Sequence, residues 1–255
     1  SRYGPEHDES YLPGDCFAID DENPTVLLLD EGEAVVGAAS LMLDGAYRAA
    51  RRGRFRILHA LRASPERYRA LLSAILPAAR PVDEVYLFIP EDRQRPVGNI
   101  LKGLGFEIER YSWYLKRRAE GVPEAAFPAG FTLRPVRRGL DEAAWAAVIN
   151  TAFSGLKGHL VSTPERVRAM YDEPFHRDDG MLALWHGAEM VGTARVTYEE
   201  SNGVMEAFVG ALGILPAYQH RGLGRNLLRA AAAVGRQWGL EWVGLSVNAE
   251  HERAA

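Results

Sequence analysis

Residues 117–130, Arg-Arg-Ala-Glu-Gly-Val-Pro-Glu-Ala-Ala-Phe-Pro-Ala-Gly, carry two prolines and two glycines and no hydrophobic periodicity. That is the composition of a connecting segment, not of a helix or a central strand. The same succession of signals occurs on both sides of it, so the chain reads as two units of one architecture. At 255 residues and 47% hydrophobic content it is long enough to bury two cores.

Ahead of the connector, residues 25–29 and 34–43 are apolar β-type runs joined by the turn Asp30-Glu31-Gly32-Glu33, and residues 54–61 form a third. Ser64-Pro65-Glu66 opens a helix on which Tyr68, Leu71, Leu72, Ile75 and Leu76 recur at helical spacing. A short buried strand at 84–89, a brief helix at 97–104 and a strand at 106–115 close this half. The second half repeats the order: a strand at 131–136, a helix from about Leu140, a helix capped by Thr163-Pro164, strands at 181–185, 190–197 and 205–215, a long helix at 222–238 and a strand at 242–247. The expected organisation is a domain over 1–118, a linker over 119–130 and a second domain over 131–255.

Net charge −4, from 30 basic and 34 acidic residues, signals neither a nucleic-acid nor an anionic-membrane surface. The single cysteine, Cys16, excludes a disulfide framework and a multi-cysteine zinc site. No apolar run approaches the roughly 18–20 residues of a membrane span, and no signal-peptide core opens the chain, so a cytoplasmic protein is expected.

Chemistry concentrates in Leu212-Gly213-Ile214-Leu215-Pro216-Ala217-Tyr218-Gln219-His220-Arg221-Gly222-Leu223-Gly224-Arg225-Asn226-Leu227-Leu228. A strand ends at Pro216, a basic glycine-containing turn follows, and a helix begins directly. The first N–H groups of that helix lack internal partners and sit at the positive end of its dipole, which favours an anion. Gly222 and Gly224 remove side chains that would hold a phosphate away from the backbone, and Arg221 and Arg225 add charge. A pyrophosphate fits. The chain contains no Gly-Lys-Ser/Thr, and Leu227 stands where a dinucleotide fingerprint needs a small residue.

The segment Gln219-His220-Arg221-Gly222-Leu223-Gly224, behind an apolar strand and Pro216, resembles the Gln/Arg-x-x-Gly-x-Gly/Ala acetyl-CoA signature of the GNAT superfamily of N-acyltransferases. The resemblance covers about residues 131–255. It implies an α/β (α+β) fold of two tandem GNAT-like domains, each a mixed, mainly antiparallel sheet flanked by helices. It implies acetyl-CoA as co-substrate and no metal. The backbone of Leu212, Gly213 and Ile214 would pair with the pantetheine arm, the turn from Gln219 through His220, Arg221, Gly222, Leu223 and Gly224 to Arg225 would hold the pyrophosphate, and Asn248 would touch the arm where the next strand diverges. A primary amine of a small molecule or peptide would then attack the thioester directly.

Departures from the family pattern matter as much. Phe208 and Gly210 occupy positions where many members carry a carboxylate base. Glu206 is the nearest replacement by strand alternation, acting directly or through water, or else it is a solvated strand-end glutamate. The tyrosine that protonates the departing thiolate would fall about three residues after Ala255, so an incomplete second domain is expected, as is a first domain lacking its opening strand and helix. With the base missing, a non-catalytic acyl-CoA sensor stands as the alternative. Leu104-Gly105-Phe106 resembles the family's close, but the corresponding first-half turn, Leu61-Arg62-Ala63-Ser64-Pro65-Glu66, has no glycine pair; Ser64 would cap its helix, and this unit is expected to bind no acetyl-CoA.

Weaker signals remain. His251-Glu252-Arg253-Ala254-Ala255 falls one ligand short of a zinc helix. The acidic stretch Asp172–Asp179 is a loop that either lies solvated or draws a cationic amine, and the arginines between Arg48 and Arg56 read as a solvated turn.

Overall fold

The computed structural model describes residues 18–89, 96–156, 159–201 and 203–249. Cys16 and the His251–Ala255 stretch lie outside the described residues. The chain divides into two compact units, Ser1–Ile108 and Glu109–Ala255. Among the described residues no helix is long and apolar enough to cross a membrane.

In the first unit, β1 (Thr25–Leu29), β2 (Val35–Met42), α1 (Gly45–Ala49), β3 (Arg52–Ala60), α2 (Pro65–Ile75), β4 (Glu84–Tyr86) and α3 (Pro96–Gly103) follow in order. The sheet runs β1-β2-β3-β4, antiparallel except for the parallel β3/β4 pair. Tyr68, Leu71, Leu72 and Ile75 on α2 are buried against Ala39, Leu41 and Leu58 of the sheet, as their helical spacing predicts. Ser64 Oγ accepts from Arg67 N at 3.3 Å, the expected cap. The arginine stretch is not a solvated turn. It enters β3, where Arg52 and Arg54 are 5% and 6% exposed, Arg52 pairs with Glu84, and Arg54 lies over the Phe88 ring.

The second unit holds β5 (Tyr111–Arg118), β6 (Phe131–Pro135), α4 (Glu142–Ala152), α5 (Pro164–Ala169), β7 (Met181–His186), β8 (Glu189–Ser201), β9 (Val204–Ile214), α6 (Leu223–Gln237) and β10 (Trp242–Ala249). Its six strands are ordered β5-β10-β9-β8-β7-β6, all antiparallel except β9/β10. Leu223, Leu227, Ala231 and Val234 turn α6 onto one face of this sheet, over Ala207, Val209 and Val243. Trp145, Val148 and Ile149 of α4 pack with Val167 of α5 and Met181 and Ala183 of β7 in a separate cluster.

Two features differ from the sequence expectation. The strand anticipated at 106–115 runs as Tyr111–Arg118 and pairs along its whole length with β10, from Tyr111↔Ala249 to Arg118↔Trp242. It therefore belongs to the second sheet, because alternation identifies a strand but not its partner. The connector is also not a free tether. Ala119 and Val122 are buried in the α6 core, Arg236 Nη1 donates to Val122 O at 3.1 Å, and Ala126 N donates to Asn226 Oδ1 at 3.2 Å. Its apolar residues strap it along α6, and its prolines only prevent it from becoming a strand.

Candidate functional site

Among the described residues β9 and β10 are paired at Ala207↔Val243 and Phe208↔Gly244 and nowhere else, and then separate. A bulge accompanies the separation. Arg195 faces Gly210 and Thr193 faces Gly213, so Ala211 and Leu212 together oppose Ala194. Ala211 takes the left-handed φ of 46°, and Thr193 Oγ1 donates to its carbonyl at 3.0 Å, pinning the bulge from the fully buried side. Beyond Phe208 the β10-side edge of β9 therefore has no strand partner among the described residues. Leu212, Gly213 and Ile214 lie along this open edge. Asn248 lies on the other arm of the fork, exposed, paired with Ser112 of β5.

The turn closing β9 is ordered by its own residues. Gln219 Nε2 donates to Ile214 O at 3.0 Å, and Arg221 Nη2 donates to Ala217 O at 3.0 Å. His220 and Gly222 adopt left-handed φ values of 60° and 74°. The first backbone bond of the helix is Asn226 N to Gly222 O at 3.2 Å. Among the described residues, none of the N–H groups from His220 to Arg225 finds a protein acceptor. A Cβ on Gly222 would meet no protein atom within 4 Å, and one on Gly224 would meet only Ile214 Cγ1 at 3.8 Å, so the space beside both glycines is open. Arg225 is exposed there, whereas Leu223 is 1% exposed and belongs to the core. A cradle of unpaired N–H groups at the positive end of a 15-residue helix suits a pyrophosphate.

Glu206 is not a solvated strand-end residue. It is 1% exposed, accepts a hydrogen bond from the Tyr114 hydroxyl and pairs with Lys116, both from β5. Burial and the adjacent Glu206 charge push the Tyr114 hydroxyl above the ordinary tyrosine range, so it stays a donor. The sequence offered no sign of this pairing, since β5 lies 92 residues away along the chain.

The acidic loop is committed internally as well. Asp172 pairs with Arg138, Glu173 with Arg195 and Asp178 with His176, while Asp179 accepts from Trp238 Nε1. Beside the bulge, residues of α4 and α5 together with Phe153, His159 and Ala211 line an open cleft of about 300 Å³ that Trp145 and Arg166 also border. Among the described residues no group of three or more His, Cys, Asp or Glu could hold a metal ion.

Residues 145–255 match the acetyltransferase (GNAT) family. A mycothiol acetyltransferase from Catenulispora acidiphila is 29% identical over 154 residues, covering 59% of this chain and 49% of that protein. The chain thus spans about half the length of the curated relatives it matches. Among solved structures, a GCN5-related N-acetyltransferase from Sphaerobacter thermophilus superposes over 94% of this chain and 76% of its own, with TM-score 0.68 at 19% identity. A tandem GNAT protein from the clavulanic acid biosynthesis pathway superposes over 89% of this chain and 75% of its own, with TM-score 0.61 at 17% identity. Both carry the fold, a mixed sheet flanked by helices in each of two tandem units. The signature turn, the forked sheet and the family match all fall in the second unit, and it is this part of the chain that is similar to the GNAT superfamily.

Proposed function

We propose that the second unit binds acetyl-CoA in the fork between β9 and β10 and passes its acetyl group to a primary amine of a small molecule or peptide. The observation that carries this is the run of N–H groups from His220 to Arg225 without protein acceptors, directly after an open strand edge. Backbone groups of Leu212, Gly213 and Ile214 pair with the pantetheine arm as an added strand would. The N–H groups of residues 220–225, with Arg221 and Arg225 beside them, hold the pyrophosphate, while the Gln219 N–H is spent on Pro216 O and its side chain fixes the turn, and Asn248 approaches the arm from β10.

Bound acetyl-CoA supplies an activated thioester, which an amine can attack without a covalent enzyme intermediate. The cleft against Ala211 is the seat for that amine, at the place where the bulge redirects the backbone of β9. Glu206, enclosed by Tyr114 and Lys116, serves by positioning these two β5 side chains. Relatives named as mycothiol acetyltransferases support a small-molecule acceptor. Purified full chain, given acetyl-CoA and a panel of primary amines, should release coenzyme A thiol only when an amine is present.

The second reading, an acyl-CoA sensor, is favoured by the enclosure of Glu206, which leaves no carboxylate of β9 open to the fork. Amine-dependent thiol release rejects it; tight acetyl-CoA binding with no amine-dependent release would establish it.

A further inference from the structure

The cleft wall beside the bulge contains an imidazole whose hydrogen-bonding state can be worked out from its neighbours. Asn150 on α4 donates from Nδ2 to Ser162 O at 2.8 Å and accepts at Oδ1 from Ser162 N at 2.8 Å. Both bonds go to the backbone of a single residue, one a donor and one an acceptor, so the amide has one orientation. Its Oδ1 also faces His159 Nε2 at 3.1 Å. An amide oxygen can only accept, so Nε2 carries the proton. Nδ1 is then left with its lone pair, and among the described residues it has no partner. The ring is held flat against Phe153, centroids 6.0 Å apart and planes 28° apart, and it lines the cleft that Ala211 also lines.

We propose that His159 is the proton acceptor for the incoming amine, an inference that rests on the acetyl-transfer reading above. The need is created by β9 itself, where Phe208 and Gly210 offer no carboxylate and Glu206 is enclosed. The cleft wall supplies what the strand lacks. Nδ1 takes one proton from the ammonium group and frees the nitrogen lone pair. That pair forms the C–N bond at the thioester carbonyl carbon, and the C–S bond breaks with its electrons going to sulfur. The second proton shed by the nitrogen goes to the sulfur. The products are the acetamide, the thiol of coenzyme A and a His159 imidazolium that returns its proton to solvent.

The surroundings keep the ring neutral and ready. Burial holds His159 below the usual imidazole range. Arg166 of α5 is the charged side chain among the described residues of the wall. The neutral Asn150 of α4 and Phe153, just past its end, face the ring, and Trp145 and Ala211 border the same cleft.

Two measurements on the full chain test this. Long-range proton–nitrogen NMR at pH 7.5, assigned against His159→Gln, should show a neutral His159 with Nε2 protonated and Nδ1 bare; protonation at Nδ1 would overturn the proposal. In acetylation assays with 2-phenylethylamine, tyramine and glycinamide, His159→Gln should lower kcat/KM at least about 100-fold. It should also remove the acid limb of the pH profile and leave the Kd for acetyl-CoA, measured by calorimetry, within twofold of wild type. Undiminished turnover in the variant would overturn it. Failure of the wild type to bind acetyl-CoA would instead count against the acetyl-transfer reading, while the NMR result decides the tautomer by itself.

Discussion

Tyr114 and Glu206 stand on strands that are not neighbours, and they meet across the intervening β10 over Gly244. A Cβ at Gly244 would collide with the Tyr114 ring, and that ring lies parallel to Phe208 of β9, with centroids 6.2 Å apart and planes 6° apart. Three strands are thereby tied together where the fork begins. Tyr114→Phe should leave one oxygen of a buried carboxylate unpaired and cost about 1–3 kcal/mol of stability. Gly244→Ala should cost a comparable amount by displacing the ring. Urea denaturation measures both, and an unchanged midpoint in both variants would show that the contact does not hold the fork.

The strap over α6 gives a second expectation. Arg236 donates to Val122 O at 3.1 Å, and Val122 is buried. Arg236→Met keeps an apolar stem but removes the donor, so amide exchange should accelerate in residues 119–127 while the strands of the sheet keep their protection. Equal exchange in both proteins would mean that Ala119 and Val122 alone dock the segment.

Acid should destabilise the second unit in two stages. The His176 side chain is 3% exposed, and burial holds its imidazole below the usual range, outweighing the opposing bond to Asp178; Glu173, Arg195 and the Tyr171 ring also face it. A depressed histidine binds fewer protons folded than unfolded, so its stabilising contribution falls as pH drops below the unfolded value of about 6.5. His159 acts in the same direction. Asp141 is held well below the carboxylate range by the Arg137 guanidinium, then by Arg134, and its contribution is lost only as pH falls beneath about 3.9. Urea midpoints should therefore fall between pH 7.5 and 5.5 in wild type and less so in His176→Gln, with Asp141→Asn flattening the further loss below pH 4.

Local patterns made most of the elements legible. Helical spacing gave α2 and α6 to within a residue or two, and Ser64 and Thr163 marked the starts of α2 and α5 by their own side-chain oxygens. The turn before α6 was legible because its chemistry is contiguous, from strand end to helix start. Long-range relationships were not. Nothing near Tyr111–Arg118 states that its partner is β10, or that Tyr114 and Lys116 enclose Glu206. The connector was misread because glycine and proline mark where regular structure stops, whereas its docking depends on Ala119 and Val122 meeting α6. His159 carries no signal in the sequence, since its significance comes from Asn150, nine residues earlier, bonding to Ser162.

Binding of acetyl-CoA to the turn before α6 is tested most directly by calorimetry on the wild type and Gly224→Asp. An aspartate at the second position of this helix favours the helix dipole, so the fold should be no less stable. It places a negative charge beside the unpaired N–H groups, where the pyrophosphate would sit. The wild type should bind, and the variant, with an undiminished urea midpoint, should bind at least about 100-fold more weakly, roughly 2.7 kcal/mol. Equal affinity in the two proteins, or no binding to the wild type, would contradict the assignment of this turn.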